Sequence, residues 1–272
     1  MSAAPRPQIL LTNDDGIQSP GLWAAAQALS ALGYVYVTAP RDQVSGSGRS
    51  VPPTSDGRIL SQRLQIGGQE WPVYAVGGTP AQVVMHGVME IMPQPPDLVV
   101  SGINYGENPG LSVTVSGTVG AALEAASMGI PALAVSLELE DISTYLEHRD
   151  DVDFSTAAHF TALFAARVLR EGLPPDVDLL KIDVPHNATP QTPWRLTRLA
   201  RHRYFIPRIQ RTGPWEEPAV ISGGLEVTRD QVTPDSDVHT LMFDRLVSVT
   251  PLSLDMTSRV DLPALEQRWK QD

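Results

Sequence analysis

Short apolar runs that break at once into polar, glycine-bearing loops recur along the first 185 of the chain's 272 residues. The first is Ile9-Leu10-Leu11, which gives way within one step to Thr12, Asn13, Asp14, Asp15 and Gly16. A run without polar alternation, too short for a helix core, predicts a parallel strand covered on both faces. Ser19 and Pro20 then read as N-cap and first helical position, Leu22, Ala25, Leu29 and Leu32 fall on one helical face, and Gly33 supplies the stop. Residues 34–39 (YVYVTA) predict a second strand, and strand–helix–strand implies a right-handed parallel crossover.

The alternation continues. Residues 41–53 form a Ser/Gly-rich loop, and residues 58–76, interrupted by Gly67, Gly68 and Pro72, predict a hairpin excursion. Thr79 and Pro80 open a helix to about residue 91, which Pro93, Pro95 and Pro96 end. Residues 98–101 (LVVS) predict a strand that breaks into the long loop GINYGENPGLSVTVSGTVG. A helix over AALEAASM stops at Gly129 and a strand follows over 132–136. Residues 150–171 predict an amphipathic helix burying Phe154, Ala158, Leu163, Ala166 and Leu169, and residues 179–184 a strand ended by Pro185. From 186 to 260 the composition shifts to β-branched residues, Arg and Pro, predicting hairpins and edge strands, and Asp261, Leu262 and Pro263 open a short terminal helix. The pattern predicts an α/β core over 1–185 and a hairpin-rich extension over 186–272.

Charge narrows the chemistry. Lys plus Arg total 20 against 31 Asp plus Glu, a formal charge of -11. That balance excludes a nucleic-acid groove, which needs a basic face. It also repels any anionic small substrate unless a bound divalent cation intervenes. With no cysteine there is no disulfide, thiolate zinc site or cysteine nucleophile, which fits a reducing compartment. The leading MSAAPRP runs into too short an apolar core for a signal peptide, and no stretch reaches the roughly 20 apolar residues of a membrane span. A soluble cytoplasmic protein is the expectation.

Several catalytic signatures are missing: G-x-x-x-x-G-K, an opening G-x-G-x-x-G, G-x-S-x-G and H-E-x-x-H. What remains is a set of polar loops that follow predicted strands, bringing Asp14 and Asp15, then Ser45, then Asn104 and Asn108. Adjacent carboxylates call for a cation or a raised pKa, unless Asp14-Asp15-Gly16 is only a solvated turn. Carboxylate, hydroxyl and amide oxygens are the hard donors preferred by Mg²⁺, Ca²⁺ and Mn²⁺. Ser116, Gly117 and Thr118 precede a helix and offer N–H groups and hydroxyls to an anion, with plain N-capping by Thr118 as the alternative.

These residues resemble a known family. ILLTNDDGI, SPGL, SGINYGEN, SGTVGAA, GIPALAVS and VSVTPLSLDMT, in this order, are similar to SurE, the stationary-phase survival proteins that act as metal-dependent 5′/3′-nucleotidases. The resemblance implies a Rossmann-like α/β fold with a parallel or mixed sheet flanked by helices. It further implies one divalent ion (Mn²⁺ or Mg²⁺), with Asp14, Asp15, Ser45 and Asn104 as its ligands, and hydrolysis of nucleoside 5′- and 3′-monophosphates. Activity on short polyphosphate and assembly into homodimers or homotetramers through the C-terminal arm are implied as well. The family's A-P-D-R is replaced here by Ala39, Pro40, Arg41 and Asp42, with the spacing to Ser45 kept.

The expected mechanism is attack on phosphorus by a metal-activated water, with Asp14 or Asp15 as base. Asn13, Asn108, Ser116, Gly117 and Thr118 are the expected phosphate contacts. Tyr105 is either a stacking partner for a base or a packing residue of its loop, and Arg201, Arg203 and Arg208 meet substrate or a partner subunit. Two alternatives stay open: exopolyphosphatase as the main activity, and a non-enzymatic metal- or nucleotide-binding module.

Overall fold

Ile9 and Leu11 face one side of the central sheet and Leu10 the other, and all three are fully buried. This is why the run shows no polar alternation. In the computed structural model, which describes residues 6–140 and 151–271, the run forms β1 (Gln8–Thr12). There follow α1 (Pro20–Leu29), β2 (Tyr34–Pro40), β3 (Ile59–Ile66), β4 (Gln69–Val76), α2 (Pro80–His86), β5 (Leu98–Tyr105), α3 (Gly117–Ser127), β6 (Ala132–Leu137), α4 (Ser155–Glu171) and β7 (Leu179–Val184). The C-terminal part adds β8 (Trp194–Leu196), β9 (Phe205–Gln210), β10 (Val220–Leu225), α5 (Asp237–Met242), β11 (Val247–Leu252) and α6 (Leu262–Trp269).

Nine strands form one sheet in the order β3-β4-β2-β1-β5-β6-β7-β11-β8. The six from β4 to β7 are mutually parallel, while β3 pairs antiparallel with β4 and β11 antiparallel with β7. Helices α1 and α4 cover one face and α2 and α3 the other. The chain leaves β1 toward β2 on one side and later returns to lay β5 on the other. The carboxyl ends of β1 and β5 therefore flank a topological switch point, where α/β sheets bind ligands. The mixed, helix-flanked sheet is the architecture expected from the sequence.

Details differ from the sequence pattern. Helix α1 ends at Leu29, short of Leu32, and the Ser19 side chain makes no capping bond. Thr79 does cap α2, through a reciprocal pair with Gln82, but regular α-helix ends at His86 and continues as one wider turn over Gly87–Ile91. Strand β5 runs through Tyr105, so the SGIN residues belong to a strand rather than to the loop after it. On α4 the buried face is Ala157, Ala158, Phe160, Thr161, Phe164, Ala165 and Val168; Leu163, Ala166 and Leu169 lie only part-buried at its margin. Phe154 and Ala158 are buried as expected, and Phe160 and Phe164 take the remaining deep positions. Residues 1–5, and 141–150 with His148, lie outside the described residues. In the C-terminal part β11 and β8 extend the main sheet, whereas β9 and β10 form a separate two-stranded sheet. Helix α5 was not foreseen from sequence.

Candidate active site

Strand β1 delivers Asp14 and Asp15 two and three residues past its end, and both side chains are buried, at 4% and 5% exposure. The turn is shaped by Gly16, at φ +95°, and by Asn13, whose amide donates to Gly16 O at 3.0 Å and accepts from Gly16 N at 3.2 Å. Asn13 thus spends its polar atoms on the turn and does not line the cavity as the expected phosphate contact. Val44 N donates to Asp14 O at 2.8 Å, which draws the loop after β2 across the carboxylates.

Each carboxylate is held by a different element. Asp15 Oδ2 accepts the backbone N–H of Tyr105 at 2.9 Å, so the last residue of β5 fixes it. Asp14 Oδ1 accepts the Thr118 hydroxyl, which also lies 3.0 Å from Asn104 Oδ1. The cap of α3 is Ser116, accepting from Val119 N at 3.1 Å, and not Thr118. Gly117 explains how the helix comes so near: a Cβ there would sit 2.8 Å from Asp14 Cβ and Oδ2 and 2.9 Å from Ser47 Oγ. Gln43 Nε2 reaches Ser45 Oγ at 3.0 Å and Asp15 Oδ1 at 3.5 Å. Asp14, Asp15, Ser45 and Asn104 therefore all line one cavity of about 710 Å³, as do Asn108 and Ser116.

Burial, and then the charge of Asp15, push Asp14 up to about 7 against the pull of the Thr118 hydroxyl. The donor set is all oxygen, and among the described residues no group of three or more His, Cys, Asp or Glu is placed to hold a metal. Ser47 Oγ, beside Gly117, is buried with no hydrogen-bond partner. Two crowded carboxylates with neutral oxygens around them suit a hard divalent cation.

Tyr105 is part of the cavity lining but only 3% exposed, with its ring packed 6.0 Å from that of Phe154. Of the three arginines singled out by sequence, Arg203 lines the cavity, Arg208 pairs with Glu226, and Arg201 stands outside the lining. The sequence reading passed over Glu107, Tyr204 and Phe205, which also line it. Tyr204 donates its hydroxyl to Glu107 Oε1 at 2.8 Å and is 2% exposed.

Behind the cavity lies an ion cluster with no exposure at all. Lys181 Nζ bonds Asp183 Oδ2 and lies 3.1 Å from Asp237 Oδ2. Burial works to lower the Lys181 pKa, but the two carboxylates outweigh it and raise it. Asp183 Oδ1 accepts Asn108 N at 2.8 Å; Asp237 accepts Gly110 N at 2.8 Å and Ala200 N at 2.9 Å. A Lys and an Asp two residues apart in the otherwise apolar LLKIDV share one strand face, and that was the available signal.

Burial also pushes Glu107 up to about 7, with small upward contributions from Glu138 and Asp183. The folded state therefore holds this proton at pH values where the unfolded chain, near 4.5, has released it. The stabilisation is full below about pH 4.5 and is lost as pH rises toward 7. Glu107→Gln is expected to flatten the pH dependence of stability by about 2 kcal/mol between pH 4.5 and 7.5. Urea unfolding of metal-free protein at several pH values checks this, and parallel curves for both proteins would refute it.

Similarity to known proteins identifies the family. The family profile described as Survival protein SurE matches residues 9–205. The 5′-nucleotidase SurE of Thermococcus gammatolerans is 45% identical over 259 residues, covering 95% of this chain and 94% of that protein. The 5′-nucleotidase SurE of Methanosarcina acetivorans is 42% identical over 266 residues, covering 96% and 97%. The crystal structure of the SurE protein from Aquifex aeolicus superposes with a TM-score of 0.73 at 30% identity, over 98% of this chain and all of that one.

Proposed function

The chain belongs to the SurE family, and from that premise we propose that it is a divalent-metal-dependent phosphomonoesterase that hydrolyses nucleoside 5′-monophosphates, and 3′-monophosphates, to nucleoside and phosphate. The observation that carries the reading is the convergence of two buried carboxylates, Ser45 and Asn104 on one cavity at the switch point of the sheet. The names of the relatives support the nucleotidase class.

Asp14, Asp15, Ser45 and Asn104 would hold Mn²⁺ or Mg²⁺. Bound there, the ion supplies positive charge against the phosphate and acidifies water. The chain's own groups do the rest. One of the two aspartates takes the proton of the attacking water, while Asn108 and Ser116 hold phosphate oxygens; Gly117 and Thr118, also expected there, lie outside the cavity lining, with the Thr118 hydroxyl on Asp14. The ester P–O bond breaks, and the nucleoside oxygen leaves with the proton that the aspartate took from the water.

Other expectations join this reading as proposals. Residues 186–272 act as an assembly arm for a homodimer or homotetramer, supported by exposed Ile209, Val220 and Ile221 on the β9–β10 sheet. The core is taken as 1–185, although β8 and β11 extend its sheet. A cytoplasmic setting suits a chain without cysteine, and among the described residues no helix is long and apolar enough to cross a membrane.

The test supplies purified protein and Mn²⁺ with AMP, GMP, a 3′-nucleotide and polyphosphate. Phosphate release from the nucleotides supports the proposal. Release only from polyphosphate makes the chain an exopolyphosphatase, and release from none leaves a binding module.

A further inference from the structure

Three large apolar side chains left in solvent, Leu111, Val115 and Phe205, at 43%, 57% and 39% exposure, line the same cavity as the carboxylate pair. They come from two separate walls. One is the turn over Gly110–Thr114 with Val115, placed by Gly48 N donating to Val115 O at 2.9 Å. The other is the stretch Arg203–Pro207 at the start of β9.

The two walls are clamped to each other rather than drifting on separate loops. Asp237 accepts Gly110 N through one oxygen and Ala200 N through the other. Gly110, at φ +58°, lies so close to the second wall that a Cβ would sit 3.2 Å from His202 O and 3.3 Å from Ala200 O. Tyr204 is pinned in the core through its bond to Glu107, which fixes its neighbour Phe205 at the cavity. A cavity lined by exposed apolar side chains from two walls and by a buried carboxylate pair fits, once a divalent cation offsets the carboxylates, a ligand that is planar and apolar at one end and anionic at the other.

We propose that this apolar end, between Leu111 and Val115 on one wall and Phe205 on the other, seats the purine or pyrimidine ring of the substrate, and that Phe205 sets the preference for phosphates that carry a ring. The inference rests on the nucleotidase reading and names a specificity residue for it. Base–aromatic stacking is lost on alanine substitution at a cost of several-fold to a hundredfold in affinity.

The test compares wild type, Phe205→Ala and Phe205→Tyr, as full chains with Mn²⁺, on AMP and on ribose 5-phosphate, which keeps the phosphate ester and lacks the base. The expected result is that Phe205→Ala raises KM for AMP about tenfold, leaves kcat/KM for ribose 5-phosphate within about twofold, and that Phe205→Tyr restores AMP. Equal loss on both substrates, or on neither, overturns the proposal; equal loss with a changed sedimentation coefficient identifies the wall as an assembly contact instead. Calorimetric titration with adenosine separates this inference from the reading beneath it. If no substrate is hydrolysed yet adenosine binds about tenfold more weakly to Phe205→Ala, the ring site stands and the nucleotidase reading falls. Equal adenosine affinity in the two proteins removes the ring site whatever the hydrolysis result.

Discussion

Asp14→Asn is expected to lower phosphate release from AMP by at least about a thousandfold while leaving the fold intact. The amide keeps an oxygen to accept the Thr118 hydroxyl and fits beneath the close approach of Gly117, so the local geometry survives. On the proposed reading, what disappears is one of the two charges that would face a divalent ion. The substitution also replaces a carboxyl that burial and Asp15 push up to about 7 with a neutral group. Metal-free Asp14→Asn is therefore at least as stable as wild type at pH 8. The second readout is thermal: with Mn²⁺ at about a hundred times its dissociation constant, binding adds roughly 3 kcal/mol, a rise of several degrees in wild type. In Asp14→Asn that rise vanishes. A variant that keeps both activity and the Mn²⁺-dependent rise would remove Asp14 from the cation site.

Lys181→Met carries the largest expected cost in stability. The ammonium is the cation set between Asp183 and Asp237, and all three side chains are inaccessible. Removing one partner from a buried ion cluster costs about 3–5 kcal/mol, because the remaining charges have no water to turn to. For a chain of this size that lowers the midpoint of thermal unfolding by roughly 10 °C. The triple variant with Asp183→Asn and Asp237→Asn has no buried charge to strand, and its amides still accept from Asn108, Gly110 and Ala200. It is expected to recover most of the loss. Circular dichroism melts of the single and triple variants decide this. A single variant as stable as wild type would mean that water reaches the cluster.

Much of the site was legible from local pattern. Asp14 and Asp15 stood out because a three-residue apolar run that breaks into charge is an unusual strand end, and Ser45 because its loop comes after a strand too; Asn104, expected on such a loop, lies on β5 itself. Long-range packing hid the rest. Nothing in the residues around Thr118 announces that its hydroxyl turns to a carboxylate 104 positions earlier and leaves the capping to Ser116. Tyr105 looked like a ring on a loop, but β5 runs through it and buries it beside Phe154. Phe205 sat in a stretch whose Arg and Pro suggested only hairpins, and its place at the cavity depends on Asp237 and Tyr204 tying that stretch to the core. On α4 the buried side turns on Phe160 and Phe164, while Leu163 and Leu169 stay part-buried.

The position of Asp237 in the chain has a consequence for the order of events during synthesis. Asp14 and Asp15 leave the ribosome among the first residues and Asn104 before midway, but the clamp that joins the two apolar walls is made more than a hundred residues later. On the proposed reading, a nascent chain holds its carboxylate pair well before the two walls of the ring site can be joined. Discrimination between one phosphate ester and another is then expected to arrive last, with the same C-terminal stretch that presents Ile209 and Ile221 outward.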